Sequence, residues 1–282
     1  MGFLREKNMK KINLLLLIGI NFGCATRFEA NQCPAPSEYR KKTVVSIMKE
    51  AKEIVSSPGE KRAVVFCIYG SKNRYTKGFL ENIKMVHEMY PGWDVVVFLD
   101  PETVPKEIID EAKARGAIVK ADVKYHNAAS RFFIADMNYD RFISRDADSR
   151  IYPREVAAVA DWMKNDWAFI HNMRDSKIQV NPVLAGMWGA QIKPLRERLA
   201  ANNNGVSNVE ELYFKYMNGR KAEYGDDELF LKDIVLKAIG EDHFLSHESF
   251  RCDEFKNSRG FPIPRGSAGV HIGGIRNWDD DD

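Results

Sequence analysis

From Ala63 to Ser144, short continuous apolar runs alternate with segments whose apolar residues recur at helical spacing. A chain written this way folds as a parallel sheet covered by helices on both faces. The first run, Ala63 to Tyr69, is closed by Gly70-Ser71 and followed by a helical pattern from Thr76 to Met89. Asp94 to Leu99 is the second run and ends at Asp100. Val104 to Arg115 reads as another helix, closed by Gly116, before a weaker strand from Ala117 to Val123. Tyr139 to Ser144 predicts the next strand, which runs directly into Arg145-Asp146-Ala147-Asp148-Ser149-Arg150. The expected class is therefore α/β, with a mostly parallel, Rossmann-like sheet flanked by helices.

Upstream, Val44, Val45, Ile47, Met48, Ala51, Ile54 and Val55 predict an amphipathic helix that ends at Ser56-Ser57-Pro58-Gly59. Downstream, Pro153 to Asn165 reads as helix, Trp167 to Met173 as strand, and Val183 to Ile192 as an apolar stretch broken by glycines. Two further helices are expected, about Val209 to Met217 and Asp227 to Ile239. No repeat or linker divides the chain, and 282 residues with 44% hydrophobic content suit one large domain. Lys plus Arg (42) nearly balance Asp plus Glu (40), so no basic field exists to hold a nucleic-acid backbone. Nucleic acid is excluded as a main partner.

Residues 1–25 have the order of a secretory signal: basic residues to Lys11, the apolar run Ile12 to Phe22, then Gly23-Cys24-Ala25. That run is shorter than the ~20 apolar residues of a bilayer span, so cleavage after Ala25 is expected over permanent anchoring. The predicted destination is secretion, a secretory lumen or the cell envelope; membrane contact follows only if the segment stays uncleaved, and a cytoplasmic location only if it is no signal. Residues 26–60 then carry the leading helix, 61–278 the main domain and 279–282 a solvated acidic tail. Cleavage would leave Cys33, Cys67 and Cys252, enough for one internal disulfide. Cys67 lies within an apolar run, and Cys33 with Cys252 would tie the two ends together. No Cys/His spacing suggests zinc.

Ligand sites in open α/β sheets lie beyond the carboxyl ends of the strands. Asp146 and Asp148, one residue apart at such an end, are hard oxygen ligands able to share Mg²⁺ or Mn²⁺ carrying a diphosphate. Arg145 and Arg150 on either side would engage phosphate or substrate oxygens.

The segment Phe142-Ile143-Ser144-Arg145-Asp146-Ala147-Asp148-Ser149-Arg150, followed by Arg154-Glu155, resembles the metal-binding segment of GT-A-fold nucleotide-sugar glycosyltransferases. It is similar in particular to the bacterial and viral group carrying Arg-Asp-x-Asp-Ser-Arg. Three other blocks agree in order: Arg131-Phe132, Ala185-Gly186-Met187-Trp188-Gly189, and Tyr224-Gly225-Asp226-Asp227-Glu228-Leu229-Phe230-Leu231. The resemblance spans about Ala63 to Gly274. It implies that Tyr69, Gly70 and Ser71 help cradle the nucleotide, with Asp100 near its base or ribose. Arg131 would reach the donor sugar or phosphate, and Gly186 and Trp188 would belong to the floor against the sugar. Asp227 and Glu228 would lie beside the reacting carbon. Glu228 would serve as nucleophile or ion-pair stabiliser, or else simply as a first-turn acid at a helix start. His247 and His271 would add a metal or phosphate contact, or serve as structural histidines.

The function so implied is a Mn²⁺- or Mg²⁺-dependent glycosyltransferase moving a sugar from a nucleotide-diphospho-sugar, UDP-linked, to a carbohydrate, lipid or protein acceptor. Two rivals share the residues. One is metal-dependent phosphoryl or nucleotidyl transfer, or nucleotide-sugar hydrolysis; the other is a secreted carbohydrate-binding or effector protein without turnover. No GxSxG, HExxH, P-loop or GxGxxG pattern points elsewhere.

Overall fold

The structure, a computed structural model, describes residues 32–122, 127–266 and 271–276. The expected signal segment and the acidic tail lie outside these residues. The first three strands are β1 (Arg62–Ile68), β2 (Asp94–Leu99) and β3 (Ile118–Lys120). Then come β4 (Arg141–Ser144), β5 (Ile170–Arg174), β6 (Trp188–Gln191), β7 (Phe244–Glu248) and β8 (Ser258–Arg259). They form one sheet in the order β3-β2-β1-β4-β6-β5-β7-β8. All neighbours run parallel except β6, which is antiparallel to both β4 and β5.

The continuous apolar runs become strands buried on both faces because consecutive side chains point to opposite sides. In β1, Val64, Phe66 and Ile68 enter one core while Ala63 and Val65 enter the other. The first core is covered by α1 (Val44–Val55), α2 (Asn73–Met89), α3 (Lys106–Ala114) and α4 (Pro153–Met163). The second lies under a 3-10 helix (Ala128–Asp136), α5 (Ile192–Asn202), α6 (Val209–Met217) and α7 (Asp226–Phe230). Local chemistry sets the helix starts. Thr43 caps α1 by accepting from the Ser46 N–H, and Asn208 caps α6 by accepting from Glu211. Beyond α7 the helix continues through a π turn (Leu231–Leu236) into a last α turn (Lys237–Ile239). Phe230, Leu231, Val235, Ala238 and Ile239 on this stretch are buried.

Two elements depart from expectation. The stretch Val183 to Ile192 yields only the short β6, and in the reverse direction. β7 is a strand that apolar patterning misses, because Ser246, His247 and Glu248 are polar yet buried. Their partners are internal: Glu248 pairs with Arg174 at 2.8 Å and accepts from the Ser246 hydroxyl, while His247 belongs to a buried chain beneath α4. The disulfide joins Cys33 to Cys252, with Cα atoms 5.2 Å apart, and Cys67 remains a free thiol. Among the described residues, no helix is long and apolar enough to cross a membrane.

In the buried chain, His171 Nε2 faces His247 Nδ1 at 2.8 Å, and His247 Nε2 faces the Asp161 carboxylate at 3.2 Å. Asp161 also accepts from the Tyr39 hydroxyl (2.8 Å) and from Arg259 (3.0 Å). Burial holds both imidazoles below their ordinary range and therefore neutral. Burial alone would push Asp161 up, but His247, Arg259 and Tyr39 hold it below the usual carboxylate range. In the unfolded chain the imidazoles take up protons near pH 6.5, protons that the fold refuses. The contribution of this buried chain to stability is thus expected to decline as pH falls through about 6.5, with a further loss below about pH 4 as Asp161 protonates in the unfolded chain. A His171→Asn variant whose melting temperature changes between pH 7.5 and 5.5 by as much as the parent's would contradict this.

Candidate active site

The carboxyl ends of β1, β2 and β4 bring the expected residues to one edge. Tyr69, Gly70 and Ser71 follow β1, and the Gly70 N–H donates to the Thr103 hydroxyl at 2.9 Å. Thr103 in turn donates to Asp100 at 2.7 Å, and the Glu102 N–H donates to the same carboxylate at 3.1 Å. The β1 and β2 ends are thereby knit into one ledge, with Tyr69 exposed on it.

Asp146 and Asp148 occupy the loop after β4. A pair of carboxylates on so tight a loop needs outside support, and α2 supplies part of it. Asn82 of α2 donates to the Ala147 and Ser149 carbonyls at 3.1 and 2.9 Å. Gly78, one turn earlier, lets the helix backbone come close: a Cβ there would sit 2.6 Å from the Ala147 carbonyl oxygen. Neither residue stands out in the sequence. The only trace of their role is a Gly and an Asn four apart on a helix face that should be apolar. Asp148 is buried, and its carboxyl is raised to about 6 by that burial and by neighbouring Asp146.

Arg131 is no surface residue. It projects from the 3-10 helix, is 4% exposed, and joins Asp146 through one guanidinium nitrogen and Asp227 through the other, the latter at 3.3 Å. Asp227 and Glu228 lie in the first turn of α7. Asp227 accepts from the Glu228 N–H at 2.9 Å, and Glu228 accepts from the Asn181 side chain and the Ala185 N–H. Burial raises both carboxyls above their usual range, partly offset by Arg131 for Asp227 and by Asn181 for Glu228. Asn181 is a further residue that sequence reasoning missed. It is an unremarkable loop Asn until the segment after β5 folds against α7.

Three assignments need correction. Arg145 does not face the site: it is 1% exposed, pairs with Glu155 at 3.0 Å and donates to the Gly186 carbonyl at 3.0 Å. Trp188 is buried in β6, edge-on to Phe132 and Phe142, and belongs to the second core instead of a sugar-binding floor. His247 is committed to Asp161 and His171 in the interior, away from the loop carboxylates. His271 sits partly buried with Asp175 and Arg265 as its charged neighbours. Among the described residues no three His, Cys, Asp or Glu side chains gather as a metal cage, so Asp146, Asp148, His247 and His271 do not come together as one set. Arg150 folds back to donate to the Ser149 and Ala147 carbonyls at 2.8 and 3.3 Å, bracing the loop.

No protein-family model matches the chain, and no curated protein does. Solved structures do resemble it. They include the glycosyltransferase GlyE of Streptococcus pneumoniae, at 16% identity over 67% of this chain and 45% of that one, with a TM-score of 0.45. Mannosyl-3-phosphoglycerate synthase from Rubrobacter xylanophilus follows at 12% identity over 74% and 69%, with a TM-score of 0.46. A third is glucosyl-3-phosphoglycerate synthase from Mycobacterium tuberculosis, in complex with Mn²⁺, uridine diphosphate and glucosyl-3-phosphoglycerate, at 14% identity over 55% and 63% with a TM-score of 0.38. The chain spans less than half the length of the pneumococcal protein.

Gly186 is where the loop before β6 touches the acidic loop. A Cβ there would fall 2.0–2.4 Å from the Asp146 carboxylate atoms, a distance no real contact permits. Gly186→Ala is therefore expected to push Asp146 off its Arg131 bond and to cost about 1–3 kcal/mol in stability. Chemical denaturation measures the cost. A variant as stable as the parent would show that the two loops are free to part.

Proposed function

We propose that the chain is a divalent-metal-dependent glycosyltransferase that moves a sugar from a nucleotide-diphospho-sugar, UDP-linked, onto a hydroxyl acceptor. The observation that carries this reading is the convergence of two loop carboxylates, a buried arginine and a second acidic pair at the carboxyl ends of the central strands. Asp146 and Asp148 fit Mn²⁺ or Mg²⁺ by their chemistry: both are hard oxygen donors, and buried Asp148 lies beside a like charge. Such ions characteristically take one or two carboxylates and complete their shell with water and substrate phosphates, so a third protein ligand is not required. When bound, the ion would neutralise charge on the departing diphosphate.

The remaining work belongs to side chains. The ledge of Tyr69, Gly70, Ser71 and Asp100 would receive the nucleoside. Arg131, held by Asp146 and Asp227, keeps a cation fixed in a partly desolvated place, where a preorganised charge stabilises a developing anion without reorganising. Glu228, oriented by Asn181 and the Ala185 N–H, presents a carboxylate to positive charge growing at the anomeric carbon. Overall, the bond from that carbon to the diphosphate oxygen breaks, its electron pair leaves with the nucleoside diphosphate, a bond to the acceptor oxygen forms and the acceptor proton is released.

The disulfide supports the export reading, since such bonds persist in oxidising compartments. The deciding experiment incubates the protein with Mn²⁺ and a panel of nucleotide sugars and follows nucleotide release. Metal-dependent release of UDP is expected. Absence of both release and donor binding across the panel would overturn the reading, and release of free sugar without an acceptor would favour hydrolysis.

A further inference from the structure

Among the described residues nine large apolar side chains are exposed, and six of them stand on segments at the mouth of the site: Tyr69, Ile178, Val180, Tyr224, Leu229 and Ile275. This concentration follows from how the segments are stitched together. Asn181 donates to Glu228, so their chain neighbours Val180 and Leu229 flank one hydrogen bond. Gln179, between Ile178 and Val180, accepts from the Asp175 and Ser176 N–H groups at 2.6 and 2.9 Å and donates to the Ile272 carbonyl at 3.2 Å. On the other side of Ile275, the Arg276 N–H donates to the Asp148 carbonyl at 2.7 Å. The segment of residues 271–276 thus spans from the loop after β5 to the acidic loop and carries Ile275 outward.

Exposed apolar side chains gathered at a polar site mark the apolar part of a ligand. Of the donor only the flat face of the base is apolar, and it would stack on an aromatic ring such as Tyr69, while ribose, diphosphate and sugar are polar. The aliphatic part therefore belongs to the acceptor. Ile178, Val180, Leu229 and Ile275 are branched and aliphatic, whereas a bare sugar ring packs on flat aromatic faces. We propose that the acceptor is a lipid-linked sugar, whose alkyl chain lies over these four side chains while its hydroxyl points into the site beside Glu228. This rests on the glycosyltransferase reading, and the transfer it serves is the one balanced above, with the acceptor oxygen on the lipid-borne sugar.

Calorimetry on the full chain tests it with octyl β-glucoside, kept below its micelle concentration, against methyl β-glucoside. Octyl glucoside is expected to bind at least about tenfold more tightly, the worth of burying roughly two methylenes. The triple variant Ile178→Ser, Val180→Ser, Ile275→Ser should lose that advantage while keeping the parent's melting temperature and its affinity for UDP with Mn²⁺. Equal affinity for the two glucosides, or an advantage that survives in the triple variant, would overturn the proposal. A chain that prefers the octyl glycoside but fails to bind UDP with Mn²⁺ would retain the apolar subsite and lose the glycosyltransferase reading instead.

Discussion

Replacing Asp148 by Asn is expected to weaken Mn²⁺-dependent UDP binding by more than about 100-fold while leaving the protein folded. The side chain keeps its shape, and what disappears is one of two like charges on a single tight loop. A direct ligand should matter more than the supporting shell of a metal site, whose loss already costs roughly 10–100-fold. Asp148 is the better test than Asp146, because neutralising Asp146 also strips one of two partners from buried Arg131 and so mixes a stability loss into the binding measurement. Calorimetry with UDP, with Mn²⁺ and with chelator, separates metal binding from nucleotide binding. If Asp148→Asn binds UDP and Mn²⁺ as the parent does, the acidic loop is not the metal site.

Glu228→Gln is expected to lose about 10²-fold or more in turnover and to keep donor affinity, by analogy with other preorganised electrostatic groups. The amide keeps an oxygen for the Asn181 or Ala185 donor but removes the negative charge. Glu228 also occupies the first turn of α7, where an acid favours the helix dipole. If that is its whole contribution, the change costs about 0.3–1 kcal/mol of stability and leaves turnover intact. Turnover and donor affinity measured on one preparation distinguish the two. Parental turnover in the variant would remove Glu228 from the chemistry.

β4, Arg141-Phe142-Ile143-Ser144, offers only two apolar residues between buried polar ones, whereas β1 and β2 were legible because they are buried on both faces and read as nearly unbroken apolar runs. β7 was not, since its buried polar residues are satisfied largely by partners on other elements, Arg174, His171 and Asp161, through hydrogen bonds that hydrophobic patterning does not register. The direction of β6 depends on pairing with β4 and β5, which no local signal encodes. At the site, adjacency in sequence misled in a regular way. Arg145 and Asp146 are neighbours, but side chains at the end of a strand alternate. Arg145 therefore turns inward to Glu155 of α4, while Asp146 turns to Arg131 and remains 37% exposed. Trp188 fails by the same rule, buried beneath β6. The residues missed altogether, Gly78, Asn82 and Asn181, act through backbone approach or single hydrogen bonds whose partners lie far along the chain.

The π turn after α7 has a consequence for how this chain tolerates length changes. A π turn closes its hydrogen bonds one residue farther on than an α turn and so absorbs one extra residue in a single wide turn. Removing one residue there would let regular α geometry resume with the flanking faces close to their present register. Asp227 would stay with Arg131 and Glu228 with Asn181. A one-residue deletion between Leu231 and Leu236 should therefore be tolerated, whereas the same deletion within α6, which has no such slack, would turn one end of that helix by about 100° against the other. The wide turn makes this the one stretch of the helix where a residue can be lost without re-aiming the carboxylates in front of it.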